Sequence, residues 1–194
     1  MTVDVIGVQE YSSIAAGVLA LDALVKAAPV SLLATRIVNP GKLVVLFTGD
    51  VASVEASLAA GSAAAADTLL DELFIPNLHR FVIPAIRSVV AVREWDALGI
   101  IESLSVTAGI QAADAAAKEA EVEIPEIRLA GGMGGKSTVK LMGSLRDVQA
   151  ALQAAVRRVE AGGKLCRQVV IPRPHPDIRS FVLPDSTEVG AIWS

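Results

Sequence analysis

The segment Ala130-Gly-Gly-Met-Gly-Gly-Lys-Ser137 is the strongest local suggestion of chemistry in the 194-residue chain. It approximates the phosphate-loop pattern GxxxxGK[ST], with Ala in place of the first Gly. In such a loop successive backbone N–H groups cradle phosphate oxygens and the lysine, here Lys136, meets the terminal ones. That arrangement requires a helix directly after Lys136. The chain instead continues as Ser-Thr-Val-Lys-Leu-Met142 and then Gly143, which reads as a strand. Nucleotide hydrolysis therefore does not fit. A turn between paired strands accounts for Gly135 alone. Gly131, Gly132 and Gly134 fit a loop whose backbone comes close to other copies of itself, where side-chain-free positions are needed.

The other reactive residue types do not converge. His79 and His175 each come shortly after an Ile-Pro pair, but no carboxylate or cysteine cluster accompanies them, and metal ligation or general-base catalysis needs such partners. They read as structural or edge positions. Glu10 and Glu102 stand at expected strand ends, where they would cap the next turn. Cys166 precedes Arg167-Gln-Val-Val170, a strand, and reads as a small core residue. No Ser-His-Asp order and no paired-carboxylate constellation stands out, so the sequence does not read as an enzyme.

Composition sets the class. The chain is 53% hydrophobic and 20% charged, with a formal net charge of −4, and alanine supplies 32 of its residues. The longest uncharged stretches, such as Tyr11–Leu21 and Ser103–Ala113, fall well short of the ~18–20 apolar residues of a membrane span. Met1-Thr-Val-Asp-Val has neither the basic nor the apolar region of a signal peptide. A single cysteine forms no internal disulfide, which fits a reducing compartment. The acidic balance argues against nucleic acid, since phosphate binding needs a basic face. The expectation is a soluble intracellular protein whose apolar excess is covered in an oligomer.

An internal repeat decides the architecture. Residues 7–36 laid on 99–128, an offset of 92, give 12 identities in 30, among them Gly7/Gly99, Glu10/Glu102, Gly17/Gly109, Asp22/Asp114, Lys26/Lys118 and Arg36/Arg128. The offset then becomes 94, where Gly41-Lys42 meets Gly135-Lys136, and 96, where Ile75-Pro76 and His79 meet Ile171-Pro172 and His175. Phe81-Val-Ile-Pro84 returns as Phe181-Val-Leu-Pro184. In the first copy Val3–Gln9 alternates like a strand, and Ser12 or Ser13 offers a helix cap before an Ala-rich run to Ala28. Leu32–Val38 and Leu43–Thr48 are β-rich and joined at Asn39-Pro40-Gly41. Asp50 caps a second Ala-rich helix, and Leu73–Ile75 is a last strand. The order β-α-β-β-α-β predicts an α+β fold of two tandem ferredoxin-like domains, with both helices on one face of an antiparallel sheet. The boundaries predicted are 3–91 for the first domain, 96–184 for the second and 185–194 for a C-terminal tail.

With these residues assembled, the chain resembles the tandem-domain shell proteins of bacterial microcompartments. The resemblance runs over about residues 4–184. It rests on Ile6-Gly-Val-Gln-Glu10, on Gly17 with Asp22-Ala-Leu-Val-Lys26-Ala-Ala, on Val38-Asn-Pro-Gly-Lys42 and on Val170-Ile-Pro-Arg-Pro-His175. The second copy repeats the set as Leu98-Gly-Ile-Ile-Glu102, Asp114 to Lys118 and Gly131-Gly-Met-Gly-Gly-Lys136. The resemblance implies domains in the ordinary, unpermuted strand order. It also implies a homotrimer whose six domains make a pseudohexagonal tile. Such tiles join other shell proteins edge to edge in the bacterial cytoplasm, enclosing a metabolic compartment.

The site residues are also implied by the resemblance. Loops around the tile axis would form a pore for small metabolites, lined by Val38, Asn39, Pro40, Gly41, Gly132, Met133 and Gly134. Such a pore would carry no fixed charge and would select by diameter and hydrogen bonding. Lys26, Lys118 and Arg173 would lie at tile edges, although the first copy has Asn77 where Arg173 stands in the second. Some relatives hold an iron–sulfur cluster at the axis through a cysteine before Pro-Gly-Lys. Asn39 occupies that place here, so no cofactor is expected. An iron–sulfur electron carrier and a small-molecule binding module are the alternative readings.

Overall fold

A computed structural model of the chain describes residues 3–93 and 95–183. The described residues divide into two compact units, the first running to Leu78 and including Gly131–Gly135, the second comprising His79–Ala130 and Lys136 to Leu183.

The first unit contains β1 (Ile6–Tyr11), α1 (Ile14–Ala27), β2 (Ser31–Val38), β3 (Lys42–Thr48), α2 (Val51–Ala64) and β4 (Leu69–Ile75). Its sheet has the order β2-β3-β1-β4, antiparallel throughout, with Gly7 opposite Phe47 and Glu10 opposite Val44. The strand β1 is central and buried at every residue. Tyr11, Leu43, Val45 and Phe47 point to one face of the sheet, where Ala20 and Leu24 of α1 and Val54 and Leu58 of α2 close over them. A Phe or Leu buried this completely contributes about 1.5–3 kcal/mol relative to exposure, so a few aromatic or branched side chains per sheet face suffice beside alanine-rich helices.

Both helices begin where the sequence places a cap. Ser13 Oγ accepts the Ala16 N–H at 3.3 Å, and Asp50 Oδ1 accepts the Ser53 N–H at 2.8 Å. Bonds of the latter kind, made to the ionised form, hold the Asp50 carboxyl below its ordinary value.

The second unit repeats the plan with β5 (Ala97–Ser103), α4 (Val106–Glu119), β6 (Glu123–Leu129), β7 (Ser137–Gly143), α5 (Leu145–Glu160) and β8 (Leu165–Pro172), its sheet ordered β6-β7-β5-β8. Ser105 and Ser144 cap the two helices. The matched glycines Gly17 and Gly109 sit where helix meets sheet. A Cβ on Gly17 would stand 2.7 Å from Leu43 Cδ2, and one on Gly109 would stand 2.0 Å from Ser137 Oγ. Neither place has room for a side chain unless a neighbour moves.

Two elements lie outside the repeat's simple plan. They are α3 (Val82–Arg87) and, after a 3₁₀ turn at Pro176–Ile178, α6 (Arg179–Val182). The predicted first domain of 3–91 differs from the structure here, because residues 79–91 group with the second unit. The physical reason is packing. The helix α3 lies on β6 and against α4, and the Val90 N–H donates to Pro125 O at 2.8 Å. The predicted tail, residues 185–194, lies outside the described residues.

Candidate functional site

The loop between β2 and β3 turns at a cis Asn39–Pro40 bond, and the Gly41 N–H donates to Val38 O at 2.9 Å. Asn39 and Pro40 are exposed, whereas Val38 is buried and presents little surface. The corresponding loop between β6 and β7 is closed by the Ala130 N–H on Lys136 O at 2.8 Å. Here Gly132, Gly134 and Gly135 have φ of 69°, 62° and 87°. The left-handed backbone of the loop therefore demands three of its glycines locally, Gly132 and Gly134 in addition to the Gly135 that a simple turn explains, while Gly131 has no such φ. Met133 is half-buried, between Gly132 and Gly134, which are both exposed.

Gly131–Gly135 belongs to the first unit, so the structure brings this loop beside the first one. A Cβ on Gly135 would lie 3.5 Å from Asn39 O and 3.2 Å from Lys42 Nζ. Lys42 is the residue that sequence reasoning missed. Its pairing with Lys136 in the repeat was the available signal, and its ammonium places a cation next to loops expected to carry no charge.

The strand Ser137–Gly143 comes directly after Lys136, so the helix that a phosphate loop requires is missing and that chemistry is excluded. Two further expectations are corrected. Cys166 is exposed, because β8 is an edge strand with most of its residues in solvent. Glu10 is 1% exposed and lies within β1 opposite Val44, so it is a buried residue of the sheet rather than part of the turn that follows.

The edge candidates differ from one another. Lys26 forms an i,i+4 ion pair with Asp22 at 2.5 Å, with side chains 72% and 55% exposed. Lys118 forms the equivalent pair with Asp114 at 2.6 Å, but these side chains are 40% and 11% exposed. Asp114 Oδ1 also accepts the His79 N–H at 2.8 Å. Arg173 is exposed, with φ of 49°, and its N–H donates to Asp96 O at 2.6 Å. His79 is half-buried beside Arg80 and Phe81, on a cleft of about 810 Å³ that Val90, Ile124 and Met142 also line. Burial lowers its imidazole below the ordinary 6.5, Asp114 opposing and Arg80 and Lys118 reinforcing the shift. His175 lies in the other copy's loop, with its Nδ1 accepting the Asp177 N–H at 3.3 Å. No group of three or more His, Cys, Asp or Glu residues that could hold a metal ion occurs among the described residues. No helix among them is long and apolar enough to cross a membrane.

The comparisons agree with this geometry. The BMC domain family matches residues 5–78 and again 97–174. The chain is 41% identical over 170 residues to the bacterial microcompartment shell protein PduT of Citrobacter freundii, covering 88% of this chain and 92% of that one. It is 37% identical over 89 residues to the shell protein PduA of the same organism, covering 46% of this chain and 94% of PduA, as expected when one domain is matched. A crystal structure of a microcompartment protein from Desulfitobacterium hafniense superposes with a TM-score of 0.81 at 44% identity, covering 91% of this chain and 98% of that one. With two complete copies of the domain, each built on its own four-stranded sheet, the chain belongs to the tandem BMC-domain family of bacterial microcompartment shell proteins.

Proposed function

We propose that this protein is a structural tile of a microcompartment shell in the bacterial cytoplasm, acting as a homotrimer whose six domains surround a pore for small metabolites. The observation that carries this reading is the duplication itself, seen as two sheets of identical strand order in one chain. Two unequal copies let a threefold ring imitate a sixfold one, with different residues at alternate places around it. The loops at Asn39–Gly41 and Gly132–Gly134 would face the axis. Exposed Asn39 and left-handed glycines present amide groups there, which suits small polar solutes. Lys26, Lys118 and Arg173 would stand on the outer edge, next to neighbouring tiles of this or other shell proteins. No residue is assigned to catalysis and no cofactor is assigned to the axis. Cluster iron takes thiolate ligands, and the chain's one cysteine is on β8, in the second unit.

Light scattering tests the assembly. The expected mass is about 60 kDa, three times the 20.1 kDa chain, and a monomer or a ring of six chains would overturn the trimer. Anaerobic purification with iron and sulfide analysis tests the pore. Near-stoichiometric iron and sulfide per trimer would replace the open pore with an electron-transfer centre.

A further inference from the structure

The two copies have the same plan but not the same exposure. Val18 on α1 is 52% exposed, while its repeat partner Ile110 on α4 is 0% exposed. On the strands Leu32 is 46% exposed against 3% for Ile124, and Ile37 is 65% exposed against 0% for Leu129. In the second unit α3 lies on β6 and against α4, and the segment just before α3 is fixed by the His79 N–H on buried Asp114. The repeat partner of Asp114 is Asp22, whose side chain is 55% exposed. The repeat partner of His79 is His175, in a segment that ends at Phe181, and Phe181 is 87% exposed.

The first copy thus has an uncovered receiving face, and the second copy has an unseated inserting segment. We propose that residues 175–181 of one chain dock on the α1–β2 face of a second copy of the same chain. Asp22 there accepts the His175 N–H as Asp114 accepts that of His79, and Phe181 covers Val18 and Leu32. The contact is heterologous, with different surfaces on the two chains, so repeating it generates no two-fold pair but a ring where the rotation closes, after three chains in the trimer. This inference rests on the trimer reading and names the surface that makes it.

The test uses chains in which Cys166→Ser removes the exposed native thiol. Chains carrying Asp22→Cys and chains carrying His175→Cys are co-expressed and oxidised. A disulfide forms only where Cα atoms lie within ~7 Å, so a two-chain band in the mixture, absent from either variant alone, is the expected result. Putting both changes in one chain should give a three-chain covalent product. Independently, Phe181→Asp should weaken self-association about tenfold or more in sedimentation, as loss of a buried aromatic anchor does. It should leave the circular dichroism spectrum of the folded chain unchanged, because the ring is in solvent within a single chain. A trimer that Phe181→Asp leaves equally stable, or one in which Asp22→Cys links only to itself, would overturn this surface while the trimer stands. A wild-type monomer would overturn the trimer reading as well.

Discussion

The Tyr11 hydroxyl donates to Gln9 Oε1 at 2.7 Å, inside the first unit, where the second copy has Ser103 and Ile101 at the matching places. Gln9 Nε2 in turn lies 2.8 Å from Leu58 O, 2.7 Å from Ser62 Oγ and 2.6 Å from Glu72 Oε2. Its two hydrogens are shared among three acceptors. The network fixes α2 to β1 and β4, and it occupies the space that a side chain at position 61 would need. A Cβ on Gly61 would stand 2.3 Å from Gln9 Oε1. Burial, with Glu72 adding to it, pushes the Tyr11 phenol well above its ordinary value, so the donor stays protonated.

Tyr11→Phe is therefore expected to destabilise the chain by ~1–3 kcal/mol, since it strands a buried acceptor rather than merely removing a bond. Urea unfolding monitored by circular dichroism measures it. An unchanged midpoint would show that Gln9 finds another partner.

Gly109→Ala should destabilise more than Gly17→Ala relative to the parent. At position 109 the new Cβ meets Ser137 Cβ at 2.7 Å and its Oγ at 2.0 Å, and the hydroxyl is already held by Ser103 and by Ser105 O. At position 17 the new Cβ meets Leu43, at 2.7 Å from Cδ2 and 2.9 Å from Cβ, and the nearer of these atoms can rotate away. Overpacking of this kind costs about 1–3 kcal/mol. Adding Ser137→Gly to Gly109→Ala should recover part of the loss, and thermal unfolding of the pair checks it.

The elements were legible because each obeys a local rule. Ser13 and Asp50 cap the helices where the hydroxyl and carboxyl precede an alanine run. The strand β4 begins at Leu69 rather than Leu73, because Asp71 and Glu72 hide its alternation. The pattern could not place Cys166 or residues 79–91. Nothing local tells an edge strand such as β8 from a central one. A six-residue helix with no side-chain cap, such as α3, is defined by what it packs on, and its partner β6 lies more than thirty residues later. The loop at 130–136 was found by its glycines, but the reason for them, a run of positive φ, belongs to the backbone alone.

Stability should fall as pH drops from about 7 toward 5, and His79 should supply part of the fall. Its folded value is lowered by burial, with Asp114 opposing and Arg80 and Lys118 reinforcing. Below the ordinary 6.5 the unfolded chain takes up a proton that the folded chain does not, so stability is present above that pH and is lost until the folded group also protonates. His79→Gln should flatten this part of the curve. Urea midpoints of both proteins at pH 7.5 and 5.5 decide it, and parallel curves would remove His79 from the account.

Replacing Lys26 and Lys118 separates folding from lateral assembly. The Lys26–Asp22 pair is largely in solvent, and such pairs contribute ~0.2–0.5 kcal/mol. Lys118→Ala leaves the buried Asp114 with the His79 N–H but without its cation, a loss of about 1–2 kcal/mol. The double alanine variant should therefore fold and keep its mass in light scattering. It should fail to form extended sheets under electron microscopy if these lysines meet neighbouring tiles. Sheets like those of the parent would take the two lysines off the edge.

Asn39→Cys, in chains carrying Cys166→Ser, tests whether the loops converge on an axis. Asn39 is exposed next to Gly41, whose φ of 103° carries the turn, so the substitution leaves the backbone undisturbed. An amide is a poor ligand for a soft cation, whereas thiolates are good ones. If three copies of position 39 face one another, the variant should bind one cadmium ion per three chains. The thiolate-to-metal absorption band should rise to a sharp end point at that ratio. Cys166→Ser alone should bind none, which makes the difference specific to position 39. Weak binding that saturates at one ion per chain would mean that the thiols are apart. The loop at Asn39 would then lie away from the axis, and the pore would have to be sought elsewhere on the tile.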